Sequence, residues 1–204
     1  MSTLVIEKNI NIIFLHIPKT AGVSISKWIR KTINDEYYKI YFDHPLLERV
    51  YKDVDKKYFV VTTVRNPWAR AVSGYQNFLR HYYDNRQLMM KDFVEEVIKI
   101  NGSLPDLNRW IELLPETISM IGEDWKLTTP QTEWTKPGVD LVIKLENIKN
   151  EFSLINDLFR NYEPLGIWNK SDLDLNYKEV LNDKSKKIIS SIYESDIDTW
   201  KYTF

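Results

Sequence analysis

The sequence predicts an α/β fold: a single domain over residues 1–204, with a central parallel sheet of about four strands flanked by helices. Three observations point there. Short runs dense in β-branched and aromatic residues, above all Ile12–Ile17, Tyr58–Val64 and Asp140–Leu145, read as buried strands. Between them lie longer stretches whose apolar residues recur at helical spacing, and strand–helix alternation implies parallel pairing through right-handed crossovers. The length of 204 residues, with 43% hydrophobic and 28% charged residues and no repeat or linker, is that of one domain with a full core.

The elements follow in order. The run Ile12–Ile17 stops at Pro18, and a small-residue loop, Lys19-Thr20-Ala21-Gly22, leads into a helix with Ile25, Trp28, Ile29 and Ile33 on one face. Tyr37–Asp43 alternates well enough for a short strand, which ends at Asp43-His44-Pro45, and Leu46–Tyr51 reads as a short helix. Tyr58–Val64 is followed at once by Arg65-Asn66-Pro67; Asn66 suits an N-cap and Pro67 a first helical position. The helix so begun should reach about Tyr82, with Trp68, Val72, Tyr75, Leu79 and Tyr82 as its apolar stripe and Arg70, Ser73, Asn77 and His81 as a polar stripe.

Lys91–Ile100 and Leu107–Leu114 read as helices separated by the breaker Asn101-Gly102-Ser103. From Pro115 to Gly138 the proline-rich chain reads as an irregular excursion, the kind that forms a functional or lid region. The strand Asp140–Leu145 ends at Glu146, and Asn147 caps a helix facing Ile148, Phe152, Ile155 and Phe159 inward. Leu165–Tyr177 is a loop, and a last helix, Asp183–Trp200, buries Ile188, Ile189, Ile192 and Tyr193.

Composition excludes several classes of partner. A formal net charge of −1 leaves no basic excess for nucleic acid. No cysteine is present, which rules out disulfides and thiolate metal sites and fits a reducing, cytoplasmic setting. The first residues, MSTLVIEKN, lack the pattern of a signal peptide, and no apolar run approaches the roughly 20 residues of a membrane span.

Strand, tight loop with a lysine, helix is how a chain aims backbone N–H groups and a helix N-terminus at a phosphate. In a parallel sheet, ligands bind beyond the carboxyl ends of the strands. Lys19 follows the first of these strands, His44 the second, Arg65 the third and Glu146 the fourth. Four chemically capable residues are thereby expected at one edge.

The stretch HIPKTAGVSI, His16–Ile25, resembles the HIPKTGGTSL-type loop of sulfotransferases that use PAPS (3′-phosphoadenosine 5′-phosphosulfate), in particular the carbohydrate branch with the heparan sulfate 2-O-sulfotransferases. VRNPWARAVSGY, Val64–Tyr75, is similar to that family's RNPxxRxxSxY signature. The resemblance implies a P-loop-like domain in which Lys19, Thr20, Ala21, Gly22, Val23 and Ser24 hold the 5′-phosphosulfate. Val23 stands where threonine is usual, so one hydroxyl is missing. Arg65 and Ser73 would bind the 3′-phosphate. Pro130-Gln131, Asp140–Glu146, Asn169-Lys170-Ser171 and the closing Asp196 and Tyr202-Thr203-Phe204 extend the likeness over nearly the whole chain. In relatives the Asn-Lys-Ser loop closes over the nucleotide, which makes Lys170 and Ser171 secondary cofactor residues.

Sulfuryl transfer asks for a base on the acceptor hydroxyl and a cation for the charge on the leaving phosphate oxygen. Lys19 is the candidate cation. His44 is the candidate base, since imidazole titrates near neutrality and relatives use a histidine in the equivalent position; His81 and Glu146 are the reserves, and His16 is expected to pack. The acceptor should be a hydroxyl compound, a glycan or glycoconjugate, with Trp110, Trp125 and Trp134 available to stack on sugar rings or to fill the core. No carboxylate cluster suggests magnesium, so no metal is expected. A P-loop kinase is the nearest rival, but it needs glycines before the lysine and a GK pair, and the sequence has none. A glycan-binding module with a vestigial nucleotide site is the other alternative.

Overall fold

A computed structural model of the protein describes residues 2–7, 10–32, 38–41, 46–47, 50, 58–84, 88–121, 127–136, 138–160, 162–166 and 175–204. Five strands are assigned: β1 (Ser2–Glu7), β2 (Ile10–Leu15), β3 (Tyr38–Tyr41), β4 (Phe59–Val64) and β5 (Leu141–Lys144). The helices are α1 (Gly22–Thr32), α2 (Pro67–Asp84), α3 (Leu88–Asn101), α4 (Leu107–Ile121), α5 (Gln131–Thr135), α6 (Ile148–Phe159), α7 (Tyr177–Val180), α8 (Asp183–Ile192) and α9 (Glu194–Trp200). The chain packs as two compact units, one from Met1–Asn66 with Gln131–Lys170, the other from Pro67–Pro130 with Ser171–Phe204. Among the described residues no helix is long and apolar enough to cross a membrane. Ile33, Asp43, His44, Tyr51, Trp125, Asn169, Lys170 and Ser171 lie outside the described residues.

The first unit is a mixed sheet in the order β3-β1-β2-β4-β5. β2, β4 and β5 are parallel, in the register Leu15↔Thr62 and Val64↔Lys144. β1 is antiparallel to both β2 and β3. The strand expected over Tyr37–Asp43 therefore exists as Tyr38–Tyr41 and points the same way as the parallel three, but β1 stands between it and them. β1 itself was not expected from the sequence. Only two residues separate it from β2, enough for a hairpin and far too few for a crossover, so the pair must be antiparallel.

β2 and β4 are buried along their described lengths apart from the first residue of β4, which explains their near-continuous apolar runs. One core cluster joins Ile12, Phe14, Val61 and Ile143 of the sheet to Ile25, Trp28 and Ile29 of α1 and Phe152, Ile155 and Phe159 of α6. The Trp28 ring meets Phe152 and Phe159 edge-on at 5.0 and 6.1 Å between centroids. Its indole N–H donates to the Glu163 carbonyl at 2.7 Å, so a large aromatic is buried with its one polar atom satisfied. Asn147 precedes α6 as expected but makes no side-chain cap. The chain arrives from a 3₁₀ turn, Leu145–Asn147, and the Asn147 amide instead donates to Glu151 at 3.1 Å.

The second unit is helical, and α2 begins at Pro67 as expected. α4 departs from the reading: it continues through Pro115 to Ile121, where an irregular excursion was expected. An interior proline costs about 3 kcal/mol. Burying Leu107, Trp110, Ile111 and Leu114 along one face contributes roughly 1.5–3 kcal/mol for each large side chain, which outweighs it. The Thr117 hydroxyl also donates to the carbonyl of Leu113 at 3.0 Å. The single helix expected over Asp183–Trp200 is broken at Tyr193, whose backbone (φ −113°, ψ 29°) leaves the helical region. Burial of that ring, with its hydroxyl donating to the Leu127 carbonyl at 2.8 Å, fixes the break.

The stripe expected to be polar on α2 is only partly so. Arg70 and Ser73 are buried, while Asn77 and His81 are half-exposed. Arg70 donates to the Thr129 carbonyl at 2.9 Å and lies 5.5 Å from the centre of the Tyr193 ring. Burial lowers its pKa, opposed by nearby Tyr193 and Asp196. Trp110 and Trp134 are core residues, each in its own unit, so neither offers a face to a sugar.

A candidate anion site at the carboxyl edge of the sheet

The first unit brings the loop after β2 against the end of β4. Lys19 (φ 69°) and Ala21 (φ 67°) both adopt left-handed backbone, and Thr20 between them does not. Alternation of φ in this way turns successive N–H groups toward one concave side, an anion-binding nest. Each non-glycine residue in that region costs on the order of 1–3 kcal/mol, so something must hold the loop. Two threonines do. The Thr20 hydroxyl donates to the Ile17 carbonyl at 2.9 Å, and the Thr63 hydroxyl of β4 donates to the Thr20 carbonyl at 2.7 Å. Thr20 is therefore a buried strut of the loop, with its backbone rather than its side chain on offer to a ligand.

α1 starts directly from this loop. The Ala21 carbonyl accepts from Ser24 N–H at 2.9 Å and Ile25 N–H at 3.2 Å, so Ala21 is the residue on which the helix closes. The Ser24 N–H is thus committed within the turn. The N–H groups of Gly22 and Val23 belong to the first turn, where a helix has no acceptors of its own. Glycine is required at position 22 by space. A Cβ there would fall among the Cδ2, Cγ and Nε2 atoms of His16, which is buried beneath the loop. His16 packs, as expected. Val23 is half-buried and supplies no hydroxyl.

Arg65 is the first residue beyond β4, and its Nη1 lies 3.4 Å from the Lys19 carbonyl, a long contact that sets the guanidinium beside the loop. Its backbone is held from both sides by one amide: Arg65 N–H donates to Gln131 Oε1, and Gln131 Nε2 donates to the Arg65 carbonyl, each at 2.9 Å. Gln131 is wholly buried. Glu146, just past β5, accepts from Asn66 N–H at 2.7 Å through Oε1. Lys19, Arg65 and Glu146 thus stand at the same edge, as expected from the strand ends. Ser73 belongs to the second unit, where it is buried on α2.

The structural roles of Thr63 and Gln131 were missed in the sequence. Thr62 and Thr63, two hydroxyls in an otherwise apolar buried strand, were the available signal; Thr62 donates to the Leu15 carbonyl at 2.8 Å. Gln131 stood out only through the likeness at Pro130-Gln131, which gave it no role, because its partner is a backbone 66 positions away. Among the described residues no group of three or more histidines and carboxylates is placed to hold a metal ion.

The donor set suits a phosphate or sulfate group: a nest, a helix N-terminus, a lysine and an arginine, with the fork of the guanidinium matched to oxyanion geometry. Neither a curated protein nor a solved structure matches the chain significantly. A family model does, the one described as Sulfotransferase family, and it spans residues 2–203. Matched over almost its entire length, the chain belongs to the sulfotransferase family and is an enzyme of sulfuryl transfer.

Proposed function

We propose that residues 1–204 work as one sulfotransferase domain that moves the sulfuryl group of PAPS to a hydroxyl of a carbohydrate by in-line displacement, in a cytoplasmic setting. The observation that carries the nucleotide part is the left-handed pair Lys19 and Ala21 at the start of α1, a strained backbone that makes sense as an anion cradle. When bound, PAPS supplies the sulfuryl group and a phosphate oxygen as leaving group. The N–H groups of Ala21, Gly22 and Val23 hold the 5′-phosphate end, with Ser24 contributing its hydroxyl. The Lys19 ammonium balances charge on the leaving oxygen. Arg65 takes the 3′-phosphate through its guanidinium. For Ser73 as a second 3′-phosphate ligand, for Lys170 and Ser171 over the nucleotide, and for the carbohydrate acceptor of the heparan sulfate 2-O type, the support is the resemblance.

His44 is the proposed base. Its neutral imidazole takes the proton of the acceptor hydroxyl, without which an alcohol is a poor nucleophile. Glu146 is a weaker candidate, because one of its carboxylate oxygens is already engaged by Asn66 N–H. The test is transfer from labelled PAPS to a panel of glycans and simpler alcohols in the presence of EDTA. Label on a glycan hydroxyl is the expected result. A strict magnesium requirement would overturn the reading, and nucleotide retention without transfer to any acceptor would favour a binding module.

A further inference from the structure

We propose that Gln131 and Glu146 are positioning residues that aim Arg65, and that they thereby set how well the protein tells a nucleotide with a 3′-phosphate from one without. The inference rests on the assignment of Arg65 to the 3′-phosphate made above. The ladder between β4 and β5 has its last pair at Val64↔Lys144. Beyond it the chain after β5 curls into the turn Leu145–Asn147, so the β4–β5 ladder ends before Arg65 and Asn66. Two side chains take over there. Gln131 closes a two-bond ring on the Arg65 backbone, and Glu146 takes the next N–H.

This bracket fixes the plane of the Arg65 peptide groups and hence the direction in which its side chain leaves the backbone. A carboxamide does both jobs of Gln131, since one atom accepts and the other donates, and an ionised carboxylate cannot. A carboxylate would keep the bond from Arg65 N–H but set a second acceptor against the Arg65 carbonyl. Complete burial makes the substitution more telling, because buried polar groups are paired almost without exception. The carboxylate of Glu146 adds a charged anchor one residue further on, and Arg65 bridges from this bracket to the Lys19 carbonyl. Neither positioning residue needs to touch the ligand. Each acts through Arg65.

Calorimetry on the full chain with 3′-phosphoadenosine 5′-phosphate and with AMP tests this, alongside thermal melts. Gln131→Met should lower the ratio of the two affinities on the order of tenfold, part of what one charge-assisted contact contributes, and leave AMP binding nearly unchanged. Gln131→Glu should fall between it and the wild type. In an Arg65→Ala background, Gln131→Met should cost nothing further in that ratio. An unchanged ratio, an equal loss for both nucleotides, or a further drop without Arg65 would overturn the positioning role. Should Gln131→Met not fold, Glu146→Ala carries the test, because Glu146 is exposed; it should show the same selective loss, and an unaltered ratio would count against the proposal. If Arg65→Ala itself leaves the ratio unchanged, the 3′-phosphate assignment fails and this inference falls with it. That result differs from a ratio sensitive to Arg65 but not to Gln131, which removes the positioning role alone.

Discussion

Gly22→Ala isolates the physical reason for the phosphate loop. At the first turn of α1, alanine gains up to about 1 kcal/mol of helix propensity over glycine. Against that, its methyl would overlap three atoms of the His16 ring, and the ring is buried with no free end to swing aside. Overpacking of this kind costs typically 1–3 kcal/mol, and an overlap with a whole ring belongs at the upper end. The net should be a loss of about 2 kcal/mol, or roughly 4–8 °C in melting temperature for a chain of this size. Differential scanning calorimetry measures it directly. His16→Ala should also destabilise, by opening a space under the loop. The double variant should be better than the sum of the singles by 1 kcal/mol or more, since the new methyl then occupies room the ring vacated. A Gly22→Ala protein as stable as wild type, or strictly additive effects, would refute the claim that the ring beneath the loop dictates glycine there.

Other outcomes follow from the same structure. Ala21→Gly should stabilise slightly or not at all, because relief of a left-handed alanine (φ 67°) is offset by the entropy of glycine; a loss above about 1 kcal/mol on denaturant titration would contradict that. Lys19→Ala should lower turnover and also loosen 3′-phosphoadenosine 5′-phosphate, whereas His44→Ala should cut turnover by roughly 10²–10⁴ with nucleotide affinity nearly intact. Wild-type activity should decline on the acid side of the histidine range, and a pH–rate profile checks that limb. Tyr193, raised by burial to about 12, stays protonated in the fold after the unfolded chain has begun to ionise near pH 10. Its stabilising effect is complete below pH 10 and is lost as pH rises through 12. Tyr193→Phe should therefore flatten the alkaline loss of stability, at the cost of about 1 kcal/mol at neutral pH from the bond to Leu127.

Much of this protein was legible in its residues. The runs Ile12–Ile17 and Val60–Val64 are buried on both sides, and continuous burial leaves a continuous apolar signal that needs no partner to be read. Pro67 and the helix after it, the inward face of α6, and the loop from Lys19 to Gly22 are likewise local facts, set by φ limits and by side-chain period. Lys19, Arg65 and Glu146 reached one edge because strands that point one way end on one side.

What the sequence did not determine depends on residues far apart in the chain. β1 took its place between β2 and β3 through a hairpin whose pairing, not its composition, defines it. Pro115 stayed helical because the apolar face around Trp110 and Ile111 found a core to fill, and Asp183–Trp200 broke because Tyr193 did. Arg70 was placed on a polar stripe with no partner fixed, and folding set it inward with its bond to Thr129 and the ring of Tyr193. Gln131 shows the same division at the site: it became the clamp on Arg65 once folding brought the N–H and carbonyl of that residue to its amide. Periodicity records which side of an element is buried, but the partner of a buried polar group is chosen only when the chain closes around it.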